Sequence, residues 1–170
     1  MVILGIDPGT ATTGYGYIQC NGKSFEALSW GLIETNKENV KGKRLVNIYD
    51  QMSSLFKQLK PDAIAIEKLF FATNAKTAMN VGNAQGVMFY CAAKANIEVF
   101  EYAPGTIKKM IAGNGRADKK DMQRSLRKVF GNRVRSKAKK RTHFDNAADA
   151  LAVALCHIYH MNGKKGVNGK

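Results

Sequence analysis

Two short apolar runs, each ending in an acid, constrain the fold of this chain most strongly. "VILGID" ends in Asp7 and "DAIAIE" ends in Glu67, and an amphipathic segment lies between them. In that segment apolar residues recur at intervals of three and four from Leu45 to Leu59, which predicts a helix that ends before Pro61. A buried strand directly after such a helix is typical of a parallel crossover in an α/β sheet.

The remaining segments predict a mixed sheet. Residues 14–20 and 25–34 follow the first strand at hairpin spacing, which indicates an antiparallel meander. Further elements are expected at 75–95 (helix), 97–102 (strand), 104–112, 118–130 and from about 144 onward (helices). We therefore predict an α/β fold, a mixed five-stranded sheet flanked by helices, forming a single domain over residues 1–161. The Gly-, Asn- and Lys-rich residues 162–170 are expected to be a flexible basic tail.

The charge of the chain narrows its function. The 170 residues include 27 Lys and Arg against 13 Asp and Glu, a formal net charge of +14 at pH 7. Such an excess favours a polyanionic partner, most often nucleic acid. No apolar run approaches the length of about 18 residues that a membrane span needs, and an acid at the seventh position is incompatible with a secretory signal. A membrane partner is therefore not expected, and the predicted location is the cytoplasm.

Four acids form a candidate metal site. Asp7 and Glu67 end predicted central strands, at the edge where open α/β sheets place their ligands. Asp145 and Asp149 lie four residues apart beside the apolar face of the last helix. That face is predicted to comprise Phe144, Ala148, Leu151, Leu155 and Ile158. Converging carboxylates repel one another unless a cation lies among them, and Mg²⁺ or Mn²⁺ is the usual choice.

Each acid also has a simpler explanation. Asp7 before Pro8 could begin a turn, Glu67 could be a surface acid, Asp145 could cap its helix, and Asp149 could interact with the helix dipole. These explanations do not account for an acid that follows a buried strand together with one beside a buried helical face.

Four ordered blocks of sequence carry a family resemblance. "GIDPGTATTGYG", "AIEKLFFATNAKTAMNVGNAQG", "EYAPGTIKKMIAGNGRADK" and "DNAADALAVALCH" together resemble the RuvC family of Holliday junction resolvases, nucleases with a ribonuclease H-like fold. The resemblance implies a crossover junction endodeoxyribonuclease, which resolves four-way DNA junctions in recombination and repair by metal-dependent hydrolysis with paired symmetric nicks. The four acidic positions of the family map onto Asp7, Glu67, position 146 and Asp149.

Position 146 departs from the family pattern. This chain has Asn146 where the family commonly has Asp and in some members His. An amide is a weaker metal ligand than a carboxylate, so either activity is reduced or Asp145 supplies the missing charge. Whether Asn146 is natural or introduced stays open.

The reaction itself suggests how the acids act. Two Mg²⁺ ions per active site, about 4 Å apart, would activate water and stabilise the leaving oxygen, and Mn²⁺ could substitute. Asp7, Glu67 and Asp149 are the preferred ligands. Asn146 can hydrogen-bond the attacking water but cannot take its proton.

The resemblance also implies DNA contacts. Lys108 and Lys119 match positions linked with phosphate binding, and Arg116 and Lys120 lie beside them in sequence. Phe70 matches an aromatic that stacks on unpaired bases, whereas for Phe71 stacking and a core role are equally open. The basic run before the last helix is predicted to bind DNA and comprises Arg133, Arg135, Lys137, Lys139, Lys140 and Arg141. The alternative for Lys108 and Lys119 is an ordinary solvated surface, whereas the six charges of the basic run repel one another unless a polyanion is bound.

Symmetric cutting implies a homodimer. Gly82 and Gly86 share one helix face and would permit close approach of either a partner subunit or the protein's own sheet. By analogy, a junction-recognition protein and a ring helicase, RuvA and RuvB, are expected partners.

Two other function classes compete with the nuclease. "GIDPGT" also resembles the first phosphate loop of actin-like and sugar-kinase phosphotransferases, but those need two such domains and 170 residues supply one. A module that binds branched DNA without cutting it is favoured by Asn146.

Overall fold

The computed structural model describes residues 1–9, 11–22, 24–36, 38–69, 75–131 and 141–163, without the side chains of residues 75, 76 and 141–145. In chain order the elements are β1 (Val2–Asp7), β2 (Thr12–Asn21), β3 (Ser24–Glu34), α1 (Lys41–Leu59), β4 (Ala63–Glu67), α2 (Ala75–Lys94), β5 (Glu98–Tyr102), α3 (Pro104–Ala112), α4 (Lys119–Phe130) and α5 (Arg141–Met161). This order agrees with the prediction. From residue 164 onward, the predicted basic tail lies outside the described residues.

The strands of the described chain form one mixed sheet in the order β3-β2-β1-β4-β5. β1, β2 and β3 are antiparallel neighbours, which confirms the predicted meander. β4 lies parallel to β1 on its other side, and β5 extends the sheet parallel to β4. β4 is therefore the parallel strand predicted to follow the helical crossover, and the α/β fold class is confirmed.

Side chains alternate across β4 and so divide the core into two layers. Ile64 and Ile66 face α1 and α2, whereas Ala63 and Ala65 face α5 with α3 and α4 behind it. The large side chains fill the wide space under α1 and α2, and the small ones let α5 approach the sheet closely. The difference in size thus sets how near α5 lies to the strand ends.

The amphipathic pattern of α1 is confirmed at its centre. Ile48, Met52 and Phe56 are buried, while Leu45 and Leu55 are only partly buried at the margins of the same face. Burying a side chain of this size contributes about 1.5–3 kcal/mol, so this face is sufficient to hold α1 on the sheet. α1 ends at Leu59, where the next residue adopts a left-handed conformation before Pro61.

α5 is buried on nearly all sides. Every residue from 147 to 159 is buried except Asp149, because the sheet covers one side of the helix and α3 and α4 cover another. The predicted single core face was therefore too narrow, although Ala148, Leu151, Leu155 and Ile158 are all buried as expected. The side chain of Phe144 is not described.

α5 also begins three residues earlier than predicted, at Arg141. Asp145 is then inside the helix, so the interpretation of Asp145 as an N-terminal cap is wrong. Asp149 lies in the third turn, beyond the first turn in which the helix dipole acts on a side chain, so the dipole interpretation of Asp149 is also wrong. Within the described residues no helix combines the length and apolar character that a membrane span requires.

Candidate active site at the carboxyl edge of the sheet

The pairing of β1 with β4 brings two predicted acids together. Ile6 is paired with Ile66 in this parallel ladder, and the next residues are Asp7 and Glu67. Since the strands run in the same direction, both acids leave the sheet at the same edge. The central placement predicted for them is confirmed.

A glycine opposite Asp7 positions the helix that carries the third acid. Gly14 pairs with Asp7 across the β1–β2 ladder. A Cβ atom at Gly14 would overlap the backbone carbonyl oxygen of Asn146, so the second turn of α5 lies directly on the strand backbone. Gly16, two residues further along the same face, lies under Leu151 in the same way. These contacts position α5 so that Asp149 lies at the same edge of the sheet as Asp7.

Asp7, Glu67 and Asp149 line one pocket of about 370 Å³. Ile107 of α3 and Met122 of α4 form part of its apolar wall. An apolar wall beside carboxylates lowers the local polarity and so strengthens every electrostatic interaction inside the pocket.

The three carboxyl groups in the pocket perturb one another. Burial raises the pKa of Asp7 from its usual 3.8 to about 7, and the neighbouring Glu67 and Asp149 contribute to the increase, while Lys119 opposes it. Burial and Asp149 likewise raise the pKa of Glu67, and Lys108 opposes that increase. The pocket therefore concentrates negative charge that the protein's own cations only partly offset.

Lys108 and Lys119, predicted to bind phosphate, line this same pocket. Nζ of Lys119 lies 3.8 Å from Oδ2 of Asp149, with the lysine side chain mostly exposed. An exposed pair of this kind contributes at most about 1 kcal/mol, so Lys119 can exchange the carboxylate for a phosphate at little cost. Asp118 also lines the pocket and caps α4 by accepting a hydrogen bond from the backbone N–H of Asp121 at 2.9 Å.

The chemistry of these donors fits a hard divalent cation. Carboxylate oxygens are the preferred protein ligands of Mg²⁺ and Mn²⁺, and an ion among them would offset both causes of the raised pKa of Asp7, burial first and then repulsion by the neighbouring carboxylates. The carboxylate donors of the pocket therefore fit the ion in their chemistry. Within the described part of the chain, no three His, Cys, Asp or Glu side chains are grouped closely enough to hold a metal ion by themselves.

Asn146, which the sequence resemblance placed at the fourth acidic position, is half-buried on α5 one turn before Asp149. It does not line the acidic pocket as placed. Its backbone carbonyl contacts Gly14, so this contact positions the helix independently of the Asn146 side chain. The side chain of Asp145, the proposed substitute, is outside the described residues.

The predicted DNA contacts are described only in part. Arg116 and Lys120 are exposed residues on the approach to α4 and on its first turn, beside the pocket. The others lie outside the described residues or, for Arg141, have no described side chain: Phe70, Phe71, Arg133, Arg135, Lys137, Lys139, Lys140 and Arg141.

Sequence reasoning missed a row of cations on α4. Arg124, Arg127 and Lys128 line a surface groove of about 470 Å³ together with Lys120. Met122, Leu126 and Phe130 are buried on the opposite face of the helix. The signal was present in the sequence, because these cations recur at intervals of three and four and therefore share one face.

Two glycines of α2 are open to the surroundings. Among the described residues, a Cβ at Gly86 would meet nothing within 4 Å, and one at Gly82 would meet only the side chain of Leu69 at 4.0 Å. Neither glycine packs on the sheet, so the alternative that they permit close approach to the protein's own sheet is wrong. The same helix carries Met79 and Tyr90, which are 70% and 59% exposed.

Comparison with known proteins agrees with this architecture. The model of the family described as crossover junction endodeoxyribonuclease RuvC matches residues 3–157, a span that includes Asp7, Glu67 and Asp149. The chain belongs to the RuvC family. The RuvC protein of Petrotoga mobilis is 45% identical over 92% of this chain and 93% of its own length, and that of Caldicellulosiruptor saccharolyticus is 42% identical over 93% and 92%.

Solved structures of Holliday junction resolvases have the same fold. Thermus thermophilus RuvC in complex with a Holliday junction substrate aligns with a TM-score of 0.85 and 28% identity, covering 96% of both chains. The yeast mitochondrial Holliday junction resolvase, at 15% identity and a TM-score of 0.69, shares the fold over 91% of this chain and 76% of its own. The ribonuclease H-like prediction is confirmed.

Proposed function

We propose that this RuvC protein is a structure-specific endonuclease that resolves four-way DNA junctions in recombination and repair, by hydrolysing phosphodiesters with paired symmetric nicks. The observation that carries the proposal is the single pocket lined by Asp7, Glu67 and Asp149, with Lys108 and Lys119 at its rim, in a chain of net charge +14. A carboxylate cluster with cations beside it suits a phosphodiester that arrives together with a divalent metal ion.

Asp7, Glu67 and Asp149 would hold Mg²⁺, with Mn²⁺ as a substitute and Asp145 as a further donor. When bound, two such ions would supply the positive charge that stabilises the scissile phosphoryl group and its leaving oxygen. The buried carboxyl of Asp7 contributes a fixed donor at the strand end, since its backbone is held in the β1–β2 ladder. Asn146 would orient the attacking water by a hydrogen bond without accepting a proton.

The cations around the pocket would bind the DNA backbone. Lys108 and Lys119 would contact oxygens of the scissile phosphate, because both lie beside the acids. The α4 groove of Lys120, Arg124, Arg127 and Lys128 begins beside this pocket and would bind phosphates of the adjoining arm. Arg116 and the basic run up to Arg141 would extend these contacts, with Phe70 and Phe71 at the unpaired bases.

The whole protein would act as a homodimer. Two nicks related by a two-fold axis need two active sites with the same symmetry. The open face of α2 that includes Gly82, Gly86, Met79 and Tyr90 supports a contact with a second copy, since exposed apolar side chains and absent Cβ atoms permit close helix packing. Residues 1–161 would be a single nuclease domain, acting in the cytoplasm with RuvA and RuvB as partners by analogy.

Cleavage of a synthetic four-way junction tests the function. We expect cutting in Mg²⁺ or Mn²⁺ at symmetric positions, little cutting of a linear duplex of the same sequence, and faster cutting by the Asn146→Asp variant. If neither the protein nor that variant cuts the junction in either metal although both bind it, the nuclease proposal fails. The chain would then be a branched-DNA-binding module, the alternative that Asn146 favours.

A further inference from the structure

A buried hydrogen bond joins β5 to α5, the helix that carries Asp149, at a distance from the acids themselves. The Tyr102 hydroxyl lies 2.7 Å from Nδ1 of His157, with Tyr102 8% exposed and His157 1% exposed. Neither residue lines the acidic pocket. Burying a histidine in a core of alanine and leucine costs free energy unless its polar atoms form hydrogen bonds.

Tyr102 is attached to the strand that carries Glu67. It is the last residue of β5 and pairs with Glu67 in the parallel β4–β5 ladder. Its backbone carbonyl accepts a hydrogen bond of 2.9 Å from the backbone N–H of Lys68, the residue directly after Glu67. The position of Tyr102 is therefore tied to the position of the Glu67 backbone.

His157 is attached to the helix that carries Asp149. The two residues are eight positions apart on α5, just over two helical turns. The Phe100 ring lies 4.4 Å from the imidazole, centroid to centroid, and leaves the ring little freedom. A movement of His157 along or around the helix axis therefore moves Asp149 with it.

The two sides of α5 are anchored differently. On the side of β1 and β2, the backbone contacts at Gly5, Gly14 and Gly16 fix the helix and hence the relation of Asp149 to Asp7. On the side of β4 and β5, small residues such as Ala65 face the helix, and aromatic side chains reach across to it from β5. The Tyr102–His157 hydrogen bond is a directional link on that second side.

Burial favours the neutral form of both partners in this bond. Burial lowers the pKa of His157, and the nearby His160 acts in the same direction. Burial raises the pKa of Tyr102 to about 12. Among the described residues Nε2 of His157 has no hydrogen-bond partner, so the orientation of the imidazole depends on the bond at Nδ1.

We propose that Tyr102 and His157 are positioning residues, whose hydrogen bond fixes α5 against the ends of β4 and β5 and thereby sets the separation of Asp149 from Glu67. The inference rests on the proposed function, because that separation matters only if both acids hold the same divalent ion or bind at one phosphate. Removing a group that orients a metal ligand commonly lowers the affinity for the metal by about 10- to 100-fold.

The test compares Tyr102→Phe with Tyr17→Phe in the full-length protein. Tyr17 is a matched control, since it is fully buried and its hydroxyl has no hydrogen-bond partner among the described residues. Mn²⁺ binding is measured by electron paramagnetic resonance without DNA, junction affinity without divalent ions, and the single-turnover cleavage rate over a range of Mg²⁺ concentrations. We expect Tyr102→Phe to weaken Mn²⁺ binding about tenfold and to raise the Mg²⁺ concentration for half-maximal cleavage similarly. Junction affinity should be unchanged, and Tyr17→Phe should match the wild type in all three.

A second pair of variants separates positioning from general stability. His157→Asn keeps a polar atom near the place of Nδ1 and should retain most of the wild-type Mn²⁺ affinity, whereas His157→Leu should lose it. If Tyr102→Phe binds Mn²⁺ as the wild type does, or if both His157 variants bind Mn²⁺ equally, the positioning role is refuted while junction cleavage by the wild type still stands. A wild-type protein that neither binds Mn²⁺ nor cuts would refute the proposed function and this inference together.

Discussion

Asp7 carries a charge that is costly to bury without a counterion. Its pKa of about 7, against a usual 3.8, means that the folded protein binds this proton more tightly than the unfolded chain does. Between those values the unfolded chain has lost this proton while the folded protein still holds it, so the free energy of unfolding falls as pH rises, and the loss is complete above about pH 7. The shift corresponds to a loss of up to about 4 kcal/mol.

We therefore predict that urea melts without divalent ions show declining stability from about pH 4 to pH 7, and that Mg²⁺ reduces the decline. Asp7→Asn should flatten the profile and should abolish cleavage, because the amide has no proton to lose and is a poor ligand. Asp50→Asn, at an exposed position on α1, serves as the control and should keep the wild-type profile. Equal profiles for the wild type and Asp7→Asn would contradict this account of the site.

At the scale of elements, the contact between β2 and α5 determines where Asp149 lies. Gly14→Ala would drive a methyl group into the backbone of α5 at Asn146, and neither backbone can move without loss of the ladder or the helix. We expect destabilisation of about 1–3 kcal/mol, as for other overpacked sites, and a large loss of cleavage. Gly42→Ala in α1, where nothing lies within 4 Å, should be neutral or stabilising by up to about 1 kcal/mol. A Gly14→Ala protein with wild-type stability and rate would show that the close approach is dispensable.

The elements themselves were largely predictable from the sequence. The period of three and four in α1 and the apolar runs of β1 and β4 are local signals, and both acids at the strand ends followed from them. The surroundings of α5 were not predictable, because its burial on nearly all sides depends on α3 and α4, which the local pattern does not encode. Gly14 and Gly16, spaced by two on a strand, were an unused signal for close helix approach.

For the whole molecule, the net charge of +14 predicts strongly salt-dependent junction binding. Each phosphate neutralised should add about 0.9 to the slope of log K against log salt. The double variant Arg127→Ala and Lys128→Ala, in the α4 groove, should lower the slope by about 2, whereas Lys43→Ala with Lys57→Ala on α1 should not change it. Measuring the affinity of each protein for the junction between about 50 and 300 mM salt gives these slopes. A flat salt response would exclude phosphate binding by these cations.

The proposed homodimer can be tested by the mass of the protein in solution. Light scattering should give the mass of two chains of 18.7 kDa for the wild type. Met79→Glu with Tyr90→Glu places charges on the open face of α2 and should give monomers that nick junctions without pairing the cuts. Leu28→Glu on β3, at a site 38% exposed, is the control and should stay dimeric. A monomeric wild type that makes paired cuts would contradict the two-fold arrangement.

The central claim is that Asp7, Glu67 and Asp149 form one cation-dependent cutting centre. The most direct test is the single-turnover cleavage rate of a saturated four-way junction as a function of Mg²⁺ concentration, for the wild type and Asp149→Asn. We predict a saturable dependence on Mg²⁺ for the wild type, and no cutting by Asp149→Asn at any Mg²⁺ concentration although the junction stays bound. Cleavage by Asp149→Asn at the wild-type rate, or wild-type cleavage in the presence of a chelator, would contradict the claim.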